Sequence, residues 1–114
     1  MAVMTGIDVL PFNPKHRYVA VMDYATKNDY WAFGIGHKEW YWQDKEKKSR
    51  IVIDYGIAWQ GLPGQELDPA WVIPQIAAKL KEYQVATCIA DQYAFASVKA
   101  LMQQEGCQVK EFKV

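Results

Sequence analysis

Residues 17–24 read RYVAVMDY and residues 85–91 read VATCIAD. Each is a short apolar run rich in β-formers, neither alternates cleanly, and in each the apolar run ends in an acid, Asp23 in the first and Asp91 in the second. A run without alternation fits a strand covered on both faces. If the two strands are parallel neighbours, Asp23 and Asp91 leave the sheet at the same end, the end at which open α/β sheets place their ligands. A carboxylate next to a buried run is costly unless it is solvated, paired or metal-bound. Two or three carboxylates converging there would make a hard, oxygen-rich site suited to Mg²⁺ or Mn²⁺. The plainer alternative is that each aspartate caps the turn or helix that follows it.

Working outward, ATKN (25–28) is turn-like and DYWAFGIGH (29–37) reads as a second strand. The WYW of residues 40–42 can extend it, the charged run after it reads as a hairpin tip, and RIVIDYGIAWQ (50–60) is a third strand. Short connections make these three an antiparallel meander. GLPGQEL (61–67) is a loop. Asp68 can cap the next helix with Pro69 at its first position, and Val72, Ile76, Leu80 and Tyr83 form its apolar stripe. Pro74 either kinks that helix or marks where its regular part begins. After VATCIAD, residues 94–105 form a second helix with Phe95, Val98, Leu101 and Met102 on one face, and Gly106 can end it in a left-handed conformation. CQVKEFKV (107–114) is the last strand.

Helices between the later strands make those pairings parallel through right-handed crossovers. The expected fold is α/β: a mixed five-stranded sheet in the order 3-2-1-4-5, counting strands along the chain. The second strand is antiparallel to its neighbours, and the first, fourth and fifth are mutually parallel. Residues 1–16, with two prolines and no period, are expected to be an extended lead-in or linker. Residues 17–114 are the domain.

The 114 residues suit one domain. With 51% hydrophobic residues and five Trp, the chain is not intrinsically disordered. Thirteen basic residues balance thirteen acidic ones, so any nucleic-acid contact must be local or shared with another domain or subunit. Cys88 and Cys107 show no zinc-ligand spacing and read as reduced, buried thiols. The N-terminus lacks a signal-peptide layout and no run has the length of a membrane span, so a cytoplasmic location with no membrane partner is expected.

Other residues are more ambiguous. Asp29 could add a metal ligand beside Asp23 or simply belong to the turn. Asp54 lies mid-strand, facing either solvent or the site. His16 and His37 show no partner pattern and read as surface residues. Lys45, Lys47, Lys48 and Arg50 could touch a phosphate backbone, but Asp44 and Glu46 are interleaved with them, which favours a solvated hairpin tip. Trp40, Tyr41 and Trp42 could stack on bases; core and cross-strand packing is the better fit to a strand. The chain has no P-loop, no GxSxG and no HExxH.

VAVMDYATKNDYWAFGIGHKE resembles the first nuclease motif of phage terminase large subunits, with Asp23, Ala25 and Asp29 opening a meander. DPAWVIPQIAAKLKEYQVATCIADQYAFASVKALMQQEGCQVKEF resembles their next segment, in which a helix leads to a strand ending in a metal-binding Asp, here Asp91, and closes on Gly106 to Val109. The similarity covers residues 17–114. It implies a ribonuclease H-like nuclease domain that cuts concatemeric DNA during packaging with two Mg²⁺ or Mn²⁺ ions. Asp23 and Asp91 map onto the first two catalytic acids. The implied partners are double-stranded DNA, a packaging ATPase domain, the small terminase subunit and the portal. The family's third acid and C-terminal helix lie beyond the segment matched here, so the domain is expected to be incomplete and, with part of its sheet uncovered, to form a homodimer in the host cytoplasm. The alternatives are another ribonuclease H-like nuclease, of resolvase or transposase type, and a non-catalytic remnant acting as an interaction module.

Overall fold

The computed structural model describes residues 2–6, 10–25, 30–62 and 67–111. Its elements are β1 (Ala2–Gly6), β2 (Tyr18–Ala25), β3 (Tyr30–Gln43), β4 (Glu46–Gly61), α1 (Pro69–Glu82), β5 (Thr87–Ala90), α2 (Gln92–Gln104) and β6 (Gln108–Glu111). They form one sheet in the order β1-β4-β3-β2-β5-β6. The five expected strands occupy the expected order. β3 is antiparallel to β2 and to β4, while β2, β5 and β6 are parallel. This is the mixed sheet of a ribonuclease H-like α/β fold.

One expectation is corrected. Residues 2–6 are not a free lead-in: they add a sixth strand, paired antiparallel with β4 from Ala2↔Gly61 to Gly6↔Ile57.

Period-two alternation divides the sheet into two unlike faces. Ala20 and Met22 of β2, Trp31, Phe33 and Ile35 of β3, Trp59 of β4, and Cys88 and Ala90 of β5 are buried in the core. Val72, Ile73, Ile76, Ala77 and Leu80 of α1 and Val98 and Met102 of α2 complete it. The opposite face is bare among the described residues: Val19 and Val21 are half exposed, as is Ile53, and Ile51 is 66% exposed.

The local signals act as expected. Asp68 caps α1, accepting from the Ala70 N–H at 2.9 Å, with Pro69 at the first position. The helix runs through Pro74. Gly106 ends α2 at φ 78°. Cys88 and Cys107 are free and buried, and burial pushes the Cys88 thiol up to about 12.

Beyond Gly36 and Ile53, β3 and β4 continue as a two-stranded arm, closed by a turn with Asp44 at φ 51° and Lys45 at φ 65°. This corrects the reading of the aromatic run. Trp40 is 57% exposed and Trp42 72% exposed, outside the core. Trp40 has cationic company, with the Lys38 and Lys47 ammoniums 4.6 and 5.0 Å from its ring centre. Past His37 the arm leaves the core: residue 38 and residues 40–51 are exposed.

Candidate functional sites at the two ends of the sheet

The parallel pairing of β2 with β5 runs through Ala20↔Cys88, Val21↔Ile89 and Met22↔Ala90. Asp23 and Asp91 are the next residue on each strand. They line one hollow of about 400 Å³ together with Val21, Met22, Ile89 and Ala90. Alternation puts both aspartates on the parity of Val19 and Val21, so the hollow opens toward the bare face. Asp23 is exposed and Asp91 half-buried. Asp29 lies outside the described residues. Two carboxylates just past the paired stretch of adjacent parallel strands are a hard-oxygen donor set, and such a set fits a Mg²⁺ or Mn²⁺ ion.

Two other hollows are larger, at about 550 and 700 Å³. Phe12, His16, Tyr18 and Tyr83 line the first, and Val19, Val21, Gly36, Trp40 and Ile53 the second. Neither presents a pair of carboxylates, so chemistry rather than size singles out the hollow at Asp23 and Asp91.

The opposite end of the sheet holds a cluster that corrects the reading of the histidines. His37, expected at the surface, is 3% exposed, and Asp54 is 1% exposed. His37 Nδ1 lies 2.6 Å from Asp54 Oδ2, and its Nε2 lies 3.1 Å from Glu39 Oε1. Arg50 donates to Glu39 Oε2 from Nε at 3.2 Å and Nη2 at 3.0 Å. His16 stacks on His37, ring centres 3.7 Å apart and planes within 15°. His37 is thus covered, though shallowly, with a stacked ring as part of its lid. Burial opposes its charged form, but the hydrogen bonds to Asp54 and Glu39 outweigh that, and its pKa is raised above the ordinary 6.5. Glu39 is held below the usual carboxylate range by the hydrogen bonds from His37 and Arg50.

A break in the hairpin ladder aims Asp54. Ile35 pairs with Tyr55 and Gly36 with Ile53, so Asp54 has no partner opposite it in the ladder. It is the extra residue of a β-bulge, turned inward beside Tyr55, and its carbonyl accepts from the Leu10 N–H at 2.8 Å. A signal for the cluster was present in the sequence. Counting back from a turn at 44–45 sets His37 opposite Val52, which leaves Asp54 on the same face and one step along.

No protein-family model matches the sequence, and no curated protein matches it at a significant level. Solved structures do match the fold. The large terminase nuclease from thermophilic phage G20c superposes with a TM-score of 0.69 over 96% of this chain, at 17% identity. The HK97 bacteriophage large terminase gives 0.58 over 96%, at 14% identity. The fold is therefore that of phage large-terminase nuclease domains. The chain spans about half of the G20c nuclease (51%) and 29% of the HK97 protein. No helix among the described residues is long and apolar enough to cross a membrane.

Proposed function

We propose that this chain is the front part of a metal-dependent DNA endonuclease domain of the terminase type. One observation carries the reading: Asp23 and Asp91 directly follow Met22 and Ala90, the last pair between the parallel strands β2 and β5, and line the same hollow. In this reading the two carboxylates hold a divalent ion, with Asp29 as a further ligand. When bound, the ion supplies Lewis acidity that lowers the pKa of a water and offsets charge on a leaving phosphodiester oxygen. Val21 and Ile89 form an apolar wall to the hollow, which strengthens the field of each carboxylate. The partners belong to the same proposal: double-stranded DNA, the packaging ATPase domain, the small subunit and the portal, in a host cytoplasm. A second copy on the bare face carrying Val19 and Val21 is part of it too.

A second reading, a non-catalytic interaction module, draws support from the carboxylate count: among the described residues only two line the hollow. A plasmid-nicking assay with Mn²⁺ separates the two, because Mn²⁺ tolerates an imperfect ligand set better than Mg²⁺. Slow nicking by the wild type, reduced to background by Asp23→Asn and by Asp91→Asn, is the expected result. Unchanged cleavage in either variant removes that residue from the site. No cleavage, together with no Mn²⁺ binding by calorimetry, leaves the interaction module.

A further inference from the structure

The buried cluster at the other end of the sheet is unused by the reading above, and its geometry poses a chemical question. His37 Nδ1 faces the Asp54 carboxylate, which accepts only, so Nδ1 carries the proton. Nε2 then presents a lone pair to the Glu39 carboxylate at 3.1 Å. Two acceptors at that distance need a cation between or beside them. A second proton on His37 is one solution and a metal ion is the other. A separation of ~3.1 Å is also that of two ligands about 95° apart on an ion ~2.1 Å from each.

Two further observations favour the ion. His16 brings a second imidazole, and one donor atom each from His16, His37 and Glu39 lie within 4.8 Å of one another. The His16 Nδ1 is buried with no hydrogen-bond partner among the described residues, a cost that coordination would remove. The Asp54–His37 contact is the carboxylate–histidine arrangement that fixes the tautomer and orientation of metal-ligating imidazoles.

We propose that His16, His37 and Glu39 bind a divalent transition ion of the Zn²⁺ type, with Asp54 orienting His37 from behind. Two imidazoles and one carboxylate are a borderline donor set, suited to Zn²⁺ and poorly suited to Mg²⁺. Binding asks the stacked rings to fan apart and Arg50 to share Glu39. The ion would pin residues 10–17 to the β3–β4 hairpin. That segment is already held by the Leu10 N–H on Asp54, the Tyr83 hydroxyl on the Leu10 carbonyl, and the Asn13 N–H on the Tyr18 hydroxyl at 2.8 Å. The site is structural and independent of the carboxylate hollow.

The test titrates Zn²⁺ by calorimetry and Co²⁺ by visible absorption, in the full chain carrying Asp23→Asn and Asp91→Asn so that the other candidate site is silent. One equivalent of Zn²⁺ should bind, raise the thermal midpoint, and lose that gain to a chelator. Asp54→Asn should weaken binding about 10- to 100-fold. His16→Gln and Glu39→Gln should weaken it further with the fold intact by circular dichroism, and His16→Cys should restore Co²⁺ binding with a thiolate absorption band. Absence of Zn²⁺ and Co²⁺ binding in the folded protein, or binding that survives both His16→Gln and Glu39→Gln, overturns the site.

Discussion

The two ends of this sheet use aspartate in opposite ways. Asp23 sits one residue past the β2–β5 pairing, opposite Ala32 of β3, exposed, on the lip of an open hollow. Asp54 sits inside β4, 1% exposed, 2.6 Å from a buried histidine. An exposed carboxylate keeps its water and remains available to a ligand. A carboxylate in a bulge gives up its water and must be satisfied by the protein. The first arrangement costs the fold little and leaves chemistry open. The second ties the two arms of a hairpin together through the carboxylate, while the backbone carbonyl of the same residue holds Leu10 of the N-terminal segment.

The largest expected effect follows directly. Asp54→Ala should destabilise the protein by about 3 kcal/mol, the low end for breaking a buried ion pair, because the cover over His37 is thin. Asp23→Ala should move stability by less than about 0.5 kcal/mol. Urea unfolding of the two variants checks both, and equal losses would erase the distinction between the ends.

A second pair of variants tests whether the bulge is what makes the histidine end. A Cβ on Gly36 would lie 2.7 Å from the Val52 carbonyl oxygen, a backbone atom, whereas one on Gly34 would meet the Tyr55 carbonyl oxygen at 3.7 Å, ordinary contact. Gly36→Ala should therefore cost about 2 kcal/mol through forced backbone shifts and Gly34→Ala less than about 0.5 kcal/mol. Thermal melts of the pair distinguish a strained bulge from a general dislike of alanine in β3.

The smallest effect is one of pH. The folded pKa of His37 lies above its ordinary 6.5, so protonation favours the folded state. Without metal, its contribution is fully present below pH 6.5 and is lost as the pH rises through the raised folded value. The urea midpoint should fall across that window in the wild type and stay flatter in His37→Gln. A midpoint that rises there would contradict the assigned hydrogen bonds.

These contrasts also explain what could be read from the sequence. The strands, helices and their order were legible because each rests on local signals: apolar runs at 17–24 and 85–91, the Asp68–Pro69 cap, and Gly106. The hollow was legible because position at a strand end implies direction once parallel pairing is assumed. The meeting of Asp54 with His37 was legible only by counting back from the turn at 44–45, and the break that leaves Asp54 and Tyr55 both facing inward was not, because no composition marks it. β1 was missed because AVMTG has no period of its own and gains its partner from a strand more than fifty residues away. Trp40 and Trp42 were misplaced because their type fits a core, and only the length of the arm reveals that no core reaches them.

The bulge has one more consequence, concerning insertion and deletion. A residue removed from the interior of a strand normally swings every later side chain to the other face. Asp54 is an exception, because the ladder on each side of it is already in phase. Val52 and Tyr55 face inward and Ile53 outward, as they would in a chain lacking residue 54. Loss of this single codon would close the hairpin into one uninterrupted ladder and take the buried acid with it. The histidine end is in that sense a one-residue addition to a sheet whose framework does not require it.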